Sequence, residues 1–163
     1  MRKSIHTFIR QAACLSISLC ILSCSSLARR DLEQKLISAI EKKRDSNEKV
    51  VVDLKSITNF SWDRFYGFGP YTDIETIHKT LGFSWPKWNH NVLDDSKRID
   101  LLVFVRGKEV VQYIEYPREH GDFYKVQKEQ DGYAPDEAVF EVVIEDHGAP
   151  ALVPQRLVLS GRQ

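Results

Sequence analysis

Cysteine is scarce in this sequence and confined to its N-terminal part. The 163 residues include three cysteines, Cys14, Cys20 and Cys24. Because none follows Cys24, the body of the chain can form no internal disulfide and offers no cysteine nucleophile. The sequence therefore excludes a disulfide-rich scaffold and a cysteine-dependent enzyme in the region beyond Cys24.

The short motifs that mark several large enzyme classes are also missing. The sequence contains no Gly-x-Ser-x-Gly, no glycine-rich loop for phosphates or dinucleotides, no His-Glu-x-x-His and no paired-cysteine metal site. These absences remove the direct signals for the corresponding reactions without excluding an enzyme. No cofactor and no metal are expected.

The chain has no net charge, with 23 basic and 23 acidic residues, but the charge is unevenly distributed. The first 23 residues carry Arg2, Lys3 and Arg10 and no acid, a charge of +3. From Cys24 onward, 20 basic and 23 acidic residues give −3. A mildly acidic body offers no cluster of Lys and Arg for phosphates, so a nucleic-acid partner is not expected.

The basic N-terminus precedes an uncharged stretch from Ala12 to Ser23. Such a stretch has the length of a signal-peptide core, roughly 7 to 15 residues, and is too short for the about 20 residues of a membrane span. It ends in Ile21-Leu22-Ser23-Cys24, which resembles the lipobox of bacterial lipoproteins. The resemblance implies that residues 1–23 are a signal peptide and that Cys24 becomes a lipid-modified N-terminus.

Three alternatives remain open at this point. The uncharged run from Gln11 to Ala28 could be an uncleaved membrane anchor. Ordinary cleavage after Ser26-Leu27-Ala28 would release a soluble secreted protein. The segment could also be a buried helix of a cytosolic protein, although the one-sided charge would then be a coincidence.

Lipidation at Cys24 predicts where the folded part lies. Residues 24–30 would form a short tether that reaches at most about 25 Å when extended, so the domain of residues 31–163 would sit close to its membrane. Arg29 and Arg30 would lie near the lipid head groups or solvate the start of a helix. Ser25 is compatible, by resemblance to other lipoproteins, with delivery to the outer membrane of a two-membrane host. The predicted location is the cell envelope.

The remaining sequence alternates between helical and strand periodicity. A helix is predicted over residues 31–45, and a second over 74–81, begun by a capping box of Thr72 and Glu75 and ended by Gly82. Strands are predicted at residues 50–54, 60–68, 99–105, 109–116, 138–144 and 157–159, with a turn at 106–108. This order predicts a single α+β domain, an antiparallel sheet of about four to six strands with two helices packed on one face.

Several patches resemble a pattern in small lipoproteins and secreted proteins of bacteria that have no established activity. The patches cover about half of the mature chain and are Trp62-Asp63, residues 65–72, Leu81-Gly82, Leu102-Val103-Phe104, Tyr116-Pro117-Arg118 and residues 135–138. The resemblance implies export and a shared fold and transfers no catalytic residue. The architecture is also faintly similar to that of small lipoproteins of outer-membrane assembly machinery.

Two groups of side chains are candidates for function. Tyr71, Trp85 and Trp88 belong to an aromatic-rich segment, and Trp85 and Trp88 flank a proline in a loop, so we expect them to edge a binding surface. His120 and Asp122 share one loop and could bind a metal or exchange protons. The sequence thus favours a lipid-anchored binding or interaction module, whose partner is an envelope protein or a glycan. The alternative is a small envelope hydrolase or metal-dependent enzyme that uses His120 and Asp122.

Overall fold

The computed structural model describes residues 26–46, 48–86, 97–126, 131–146 and 148–155. Within these ranges no helix has the length and apolar character needed to cross a bilayer. The predicted signal peptide, Cys24, Trp88 and the strand predicted at residues 157–159 lie outside the described residues.

Helix α1 occupies residues 26–45 and packs through an apolar stripe. Leu32, Leu36 and Ile40, spaced four residues apart, are at most 1% exposed. This spacing places them on one face, which explains why the segment is helical and which side it buries. Residues 26–30 were expected to belong to a tether, and in the structure they are helical, so the helix starts closer to Cys24 than predicted.

Six strands form two antiparallel sheets of three strands each. The long sheet has the order β2 (Arg64–Phe68), β3 (Ile99–Arg106) and β4 (Glu109–Pro117). The short sheet has the order β1 (Val50–Asp53), β5 (Val139–Ile144) and β6 (Pro150–Pro154). The α+β class and the antiparallel pairing are confirmed, whereas the expectation of a single sheet is wrong.

The central strand β3 of the long sheet is buried on both of its faces. Leu102 and Phe104 belong to a core cluster shared with α1 and the short sheet, while Leu101 and Val103 belong to a second cluster. Because successive side chains of a strand point to opposite faces, the long sheet is covered on both sides. A strand buried on both faces reads as an unbroken apolar run, as residues 101–105 do.

Helix α3 (Ile74–Leu81) supplies Ile77 and Leu81 to the second cluster, on the face of the long sheet opposite α1. The prediction that both helices pack on one face is therefore wrong. The capping prediction also shifts by one residue, because Asp73 is the N-cap and its carboxylate accepts from the Thr76 amide at 2.8 Å. Gly82 ends the helix in the left-handed conformation at φ 75°, as predicted.

The connections use short helical segments. A single turn, α2 (Leu54–Ile57), follows β1, and 3₁₀ turns occur at Arg118–His120 and Tyr124–Val126. The β3–β4 hairpin turns at Gly107, as predicted, and the Asp63 carboxylate accepts from the Gly107 amide at 2.8 Å. Strand β6 was not predicted, because prolines at both of its ends indicate a loop.

Candidate functional site

Three segments converge at one end of the long sheet. The last residue of β2, Phe68, is paired with Leu101, and the first residue of β3, Ile99, is paired with Pro117 at the end of β4. This register places the turn after β2, the start of β3 and the loop after β4 side by side. The side chains brought together include Asp100 and Arg118.

Asp100 is a carboxylic acid in the interior of the domain. Its side chain is 0% exposed, and Oδ2 accepts a hydrogen bond from the Phe123 amide at 2.7 Å. Oδ1 accepts no hydrogen bond. Removal from water raises the pKa of Asp100 from 3.8 to about 7, because burial disfavours the charged form more strongly than the Phe123 amide favours it.

Arg118 lies beside Asp100 and is partly exposed, and its charge is largely committed to Asp122. Nε donates to Asp122 Oδ2 at 3.0 Å, Nη2 contacts the same oxygen, and Nη1 donates to the Lys97 carbonyl at 2.8 Å. The nearest approach of Arg118 Nε to Asp100 Oδ1 is 3.7 Å. The hydrogen bond with Asp122 raises the pKa of Arg118, so this guanidinium stays charged.

Asp122 also joins this cluster to the short sheet. Its amide donates to the Pro150 carbonyl at 3.0 Å, and its carbonyl accepts from the Leu152 amide at 2.9 Å, forming a parallel bridge to β6. Its remaining carboxylate oxygen, Oδ1, accepts from the Tyr124 amide at 2.8 Å. The residue is therefore held by backbone and side-chain bonds on three sides.

In front of this cluster lies an open cleft of about 520 Å³. It is lined by three basic residues, two acidic residues and two apolar ones, namely Lys97, Arg98, Arg118, Glu119, Asp122, Ile99 and Pro117. A surface with both signs of charge suits a polar ligand better than a purely anionic or purely apolar one. Its rigid floor comes from the Arg118–Asp122 pair.

Tyr71 stands beside this end of the sheet and has an unusual backbone conformation. It is 54% exposed, and its φ of 62° makes it the one non-glycine residue with positive φ in the described ranges. The phenol of Tyr71 is also near enough to Arg118 to interact with it electrostatically, which places Tyr71 close to the cleft. Strained, exposed residues of this kind concentrate at functional sites.

Trp85, Trp88 and Cys24 are further candidate residues from the sequence, and of these only Trp85 lies in the described ranges. Trp85 is 7% exposed and packs edge-to-face on Tyr113 with ring centroids 5.1 Å apart, so the expectation that Trp85 reaches solvent is wrong. The ring joins Ile77 and Leu81 of α3 in the second cluster, where its large apolar area gains more from burial than from exposure to solvent. Cys24 and Trp88 lie outside the described residues, and their predicted roles stay predictions.

His120 and Asp122 are not brought together as a catalytic or metal-binding pair. The charged neighbour of His120 is Glu119, with Nε2 and Oε1 3.8 Å apart, while Asp122 is held by Arg118. Across the described part of the chain, no group of three or more His, Cys, Asp or Glu side chains is arranged to hold a metal ion. The structure thus gives this pair no shared site.

Asp100 and Arg118 were missed as a site by reasoning from the sequence. A usable signal was present, because Asp100 directly precedes the unbroken apolar run of residues 101–105, and a charge carried into the interior by such a strand requires a partner. In the sequence, Arg118 belongs only to the patch Tyr116-Pro117-Arg118, which carries no prediction of a site. The predicted hairpin already brings the start of β3 next to the end of β4, but no sequence pattern shows that Asp100 is buried or that Arg118 is bonded to Asp122.

Comparisons of this chain with protein-family models, with curated proteins and with solved structures found no match.

Proposed function

We propose that this chain is a cell-envelope protein anchored by a lipid on Cys24, and that its folded part is a binding module. The anchoring is supported by the basic start, the short apolar stretch and the lipobox-like residues before Cys24. The membrane is the outer one in a host that has two. The body contains no thiol after Cys24, which suits an exported protein without disulfides.

The observation that carries the binding role is the cleft at the end of the long sheet. Its rim presents Lys97 and Glu119 on the surface, with the exposed ring of Tyr71 in the same neighbourhood. This rim offers charged donors and an acceptor, and the ring of Tyr71 lies near it, a combination that suits ligands carrying hydroxyl and carboxyl groups. A glycan or a polar segment of an envelope protein meets this description.

Binding fits the cleft better than catalysis. The guanidinium of Arg118 and the carboxylate of Asp122 satisfy each other and the neighbouring backbone, so they form a rigid recognition surface. The alternative of a small hydrolase or metal-dependent enzyme needs His120 and Asp122 to act on one substrate. The ion pair with Arg118 engages the Asp122 carboxylate, which disfavours a joint action of Asp122 and His120.

Photo-crosslinking tests the binding role in the envelope itself. A photoreactive amino acid at Tyr71 is expected to give discrete adducts, and their mass distinguishes a protein partner from a glycan. The matched control is the same group at Val51, which is 41% exposed on β1 of the short sheet. Identical adduct patterns from the two positions would contradict a site at the cleft.

A substitution at Tyr71 separates binding from folding. Glycine adopts a φ of 62° without the steric cost that tyrosine carries, so Tyr71→Gly is expected to change the free energy of unfolding by less than about 1 kcal/mol. The same change removes the exposed ring, so partner capture should fall. Unchanged capture by Tyr71→Gly and by Lys97→Glu would refute the proposed surface.

Anchoring is tested by intact-mass measurement of protein purified from membranes. Cys24→Ala should abolish the lipid mass and move the protein out of the membrane fraction. Cys20→Ala is the matched control, because Cys20 leaves with the predicted signal peptide. A native chain that still carries residues 1–23 and an unmodified Cys24 would refute the anchor.

A further inference from the structure

The first turn of α1 exposes an apolar side chain that the domain does not cover. Leu27 is 64% exposed, more than any other large hydrophobic residue in the described ranges. Helix geometry turns 100° per residue, so Leu27 lies on the side opposite Leu36, the middle of the buried stripe. Arg30, three residues on, is exposed next to Leu27 on the same face.

This turn is fixed to the body of the protein. The guanidinium carbon of Arg29 lies 4.0 Å from the centre of the Tyr113 ring, and Tyr113 contacts the buried ring of Trp85. A cation over an aromatic ring that is itself packed contributes about 0.5 to 2 kcal/mol and has a defined geometry. The surface made by Leu27 and Arg30 therefore has a set direction relative to the two sheets.

The short distance between Cys24 and the first turn of α1 determines which surface this turn can contact. Cys24 precedes Ser26 by two residues, which span at most about 7 Å even when fully extended. The polar layer on each side of a bilayer is of comparable thickness, roughly 5 to 8 Å. A lipid on Cys24 therefore holds Leu27 and Arg30 at the boundary between head groups and acyl chains.

We propose that Leu27 and Arg30 form a second membrane contact, a docking turn that lies against an anionic bilayer and orients the domain. Leu27 contributes apolar area to the acyl boundary, and Arg30 meets the negative head groups. This inference rests on the proposed lipidation of Cys24. It adds that the folded domain has a defined orientation relative to the bilayer. The bilayer is the partner that the short connection and the apolar and basic pair both favour.

Docking also sets the direction of the cleft. Arg44, near the other end of α1, donates to the carbonyl of Glu119 on the cleft rim at 3.0 Å. At about 1.5 Å per residue, Leu27 and Arg44 are about 25 Å apart along the helix. The proposed binding surface is thus at the end of α1 remote from the docking turn.

Site-specific labels test the docking turn in the intact lipidated protein. A processed chain with acylated Cys24 has no free thiol, so a single cysteine introduced by Leu27→Cys takes up a fluorophore selectively. The matched control is Ile144→Cys, since Ile144 is 42% exposed and shares a groove with Lys43 and Arg44 at the opposite end of α1. Both proteins are reconstituted into phosphatidylcholine vesicles with phosphatidylglycerol and brominated lipid.

Bromine quenching of the label at position 27 is expected to exceed that at position 144 severalfold. Arg30→Gln should reduce the docking equilibrium constant about fivefold in the anionic vesicles, whereas Lys42→Gln should not change it. Equal quenching at positions 27 and 144, with Cys24 shown to be lipidated by mass, would overturn the docking turn alone. An unmodified Cys24 in the same material would overturn the anchor and the docking turn together.

Discussion

The buried carboxyl group of Asp100 gives the domain a defined dependence on pH. In the unfolded chain this group loses its proton near its ordinary pKa of 3.8, whereas in the folded domain the pKa is about 7. The folded state therefore binds the proton more tightly than the unfolded state. Stability must fall as the pH rises between these two values, and no further loss from this group occurs above the folded pKa.

The size of the effect follows from the shift. A difference of about three pKa units corresponds to about 4 kcal/mol of unfolding free energy. Between pH 5 and pH 8, where measurements are practical, about 3 kcal/mol of this loss occurs. The variant Asp100→Asn removes the ionisation and keeps an oxygen that can accept from the Phe123 amide, so its stability should lack this component.

Urea denaturation at pH 5, 6, 7 and 8 measures the difference between Asp100→Asn and the native protein. We expect the variant to gain about 3 kcal/mol relative to the native protein across this range. The matched control is Asp136→Asn, whose side chain is 83% exposed and pairs with Lys55, and its difference should stay nearly constant. Parallel stability curves for Asp100→Asn and the native protein would refute a raised pKa at this position.

Three further substitutions test the packing and capping described above, each by chemical denaturation. Gly132→Ala should lower the free energy of unfolding by at least about 2 kcal/mol more than Gly148→Ala. Both glycines have positive φ, but only at Gly132 would the new Cβ lie 2.8 Å from a backbone oxygen, that of Phe65. Equal losses for the two variants would contradict this reasoning. Asp73→Ala should lower the free energy of unfolding by about 1 kcal/mol, because it removes the N-cap. Glu75→Ala should change it by less than about 0.5 kcal/mol. A larger loss for Glu75→Ala than for Asp73→Ala would favour the capping box of Thr72 and Glu75 instead. Trp85→Ala should lower the free energy of unfolding by about 3 kcal/mol, because it removes a buried ring. A loss below about 1 kcal/mol would contradict the burial of Trp85.

Local periodicity was sufficient to predict most of the elements. The helix at Ile74–Leu81 and its glycine cap, the hairpin of β3 and β4, and strand β5 were all predicted within a few residues. Each of these elements is determined by its own alternation of apolar and polar residues together with a turn or cap residue. The α+β class follows from their order along the chain.

The features that failed depend on contacts between distant parts of the chain. The division into two sheets depends on β1 pairing with β5 and not with β2, and no local pattern encodes that choice. The burial of Trp85 depends on Tyr113 in a strand almost thirty positions away. The cluster at the cleft is a mixed case. The predicted hairpin of β3 and β4 brings Asp100 near Arg118, whereas the bridge of Asp122 to β6 is a long-range pairing that no local pattern encodes.

The bridge between Asp122 and β6 has a practical consequence for the search for a ligand. Asp122 lines the cleft and also pairs with Ala151 of β6 in the short sheet. An occupant that binds only the folded form adds to the free energy of unfolding, by about 2.7 kcal/mol at a concentration one hundred times its Kd. Screening envelope glycans and peptides by thermal shift would therefore detect the right molecule through the melting of the whole domain, before its chemistry is known.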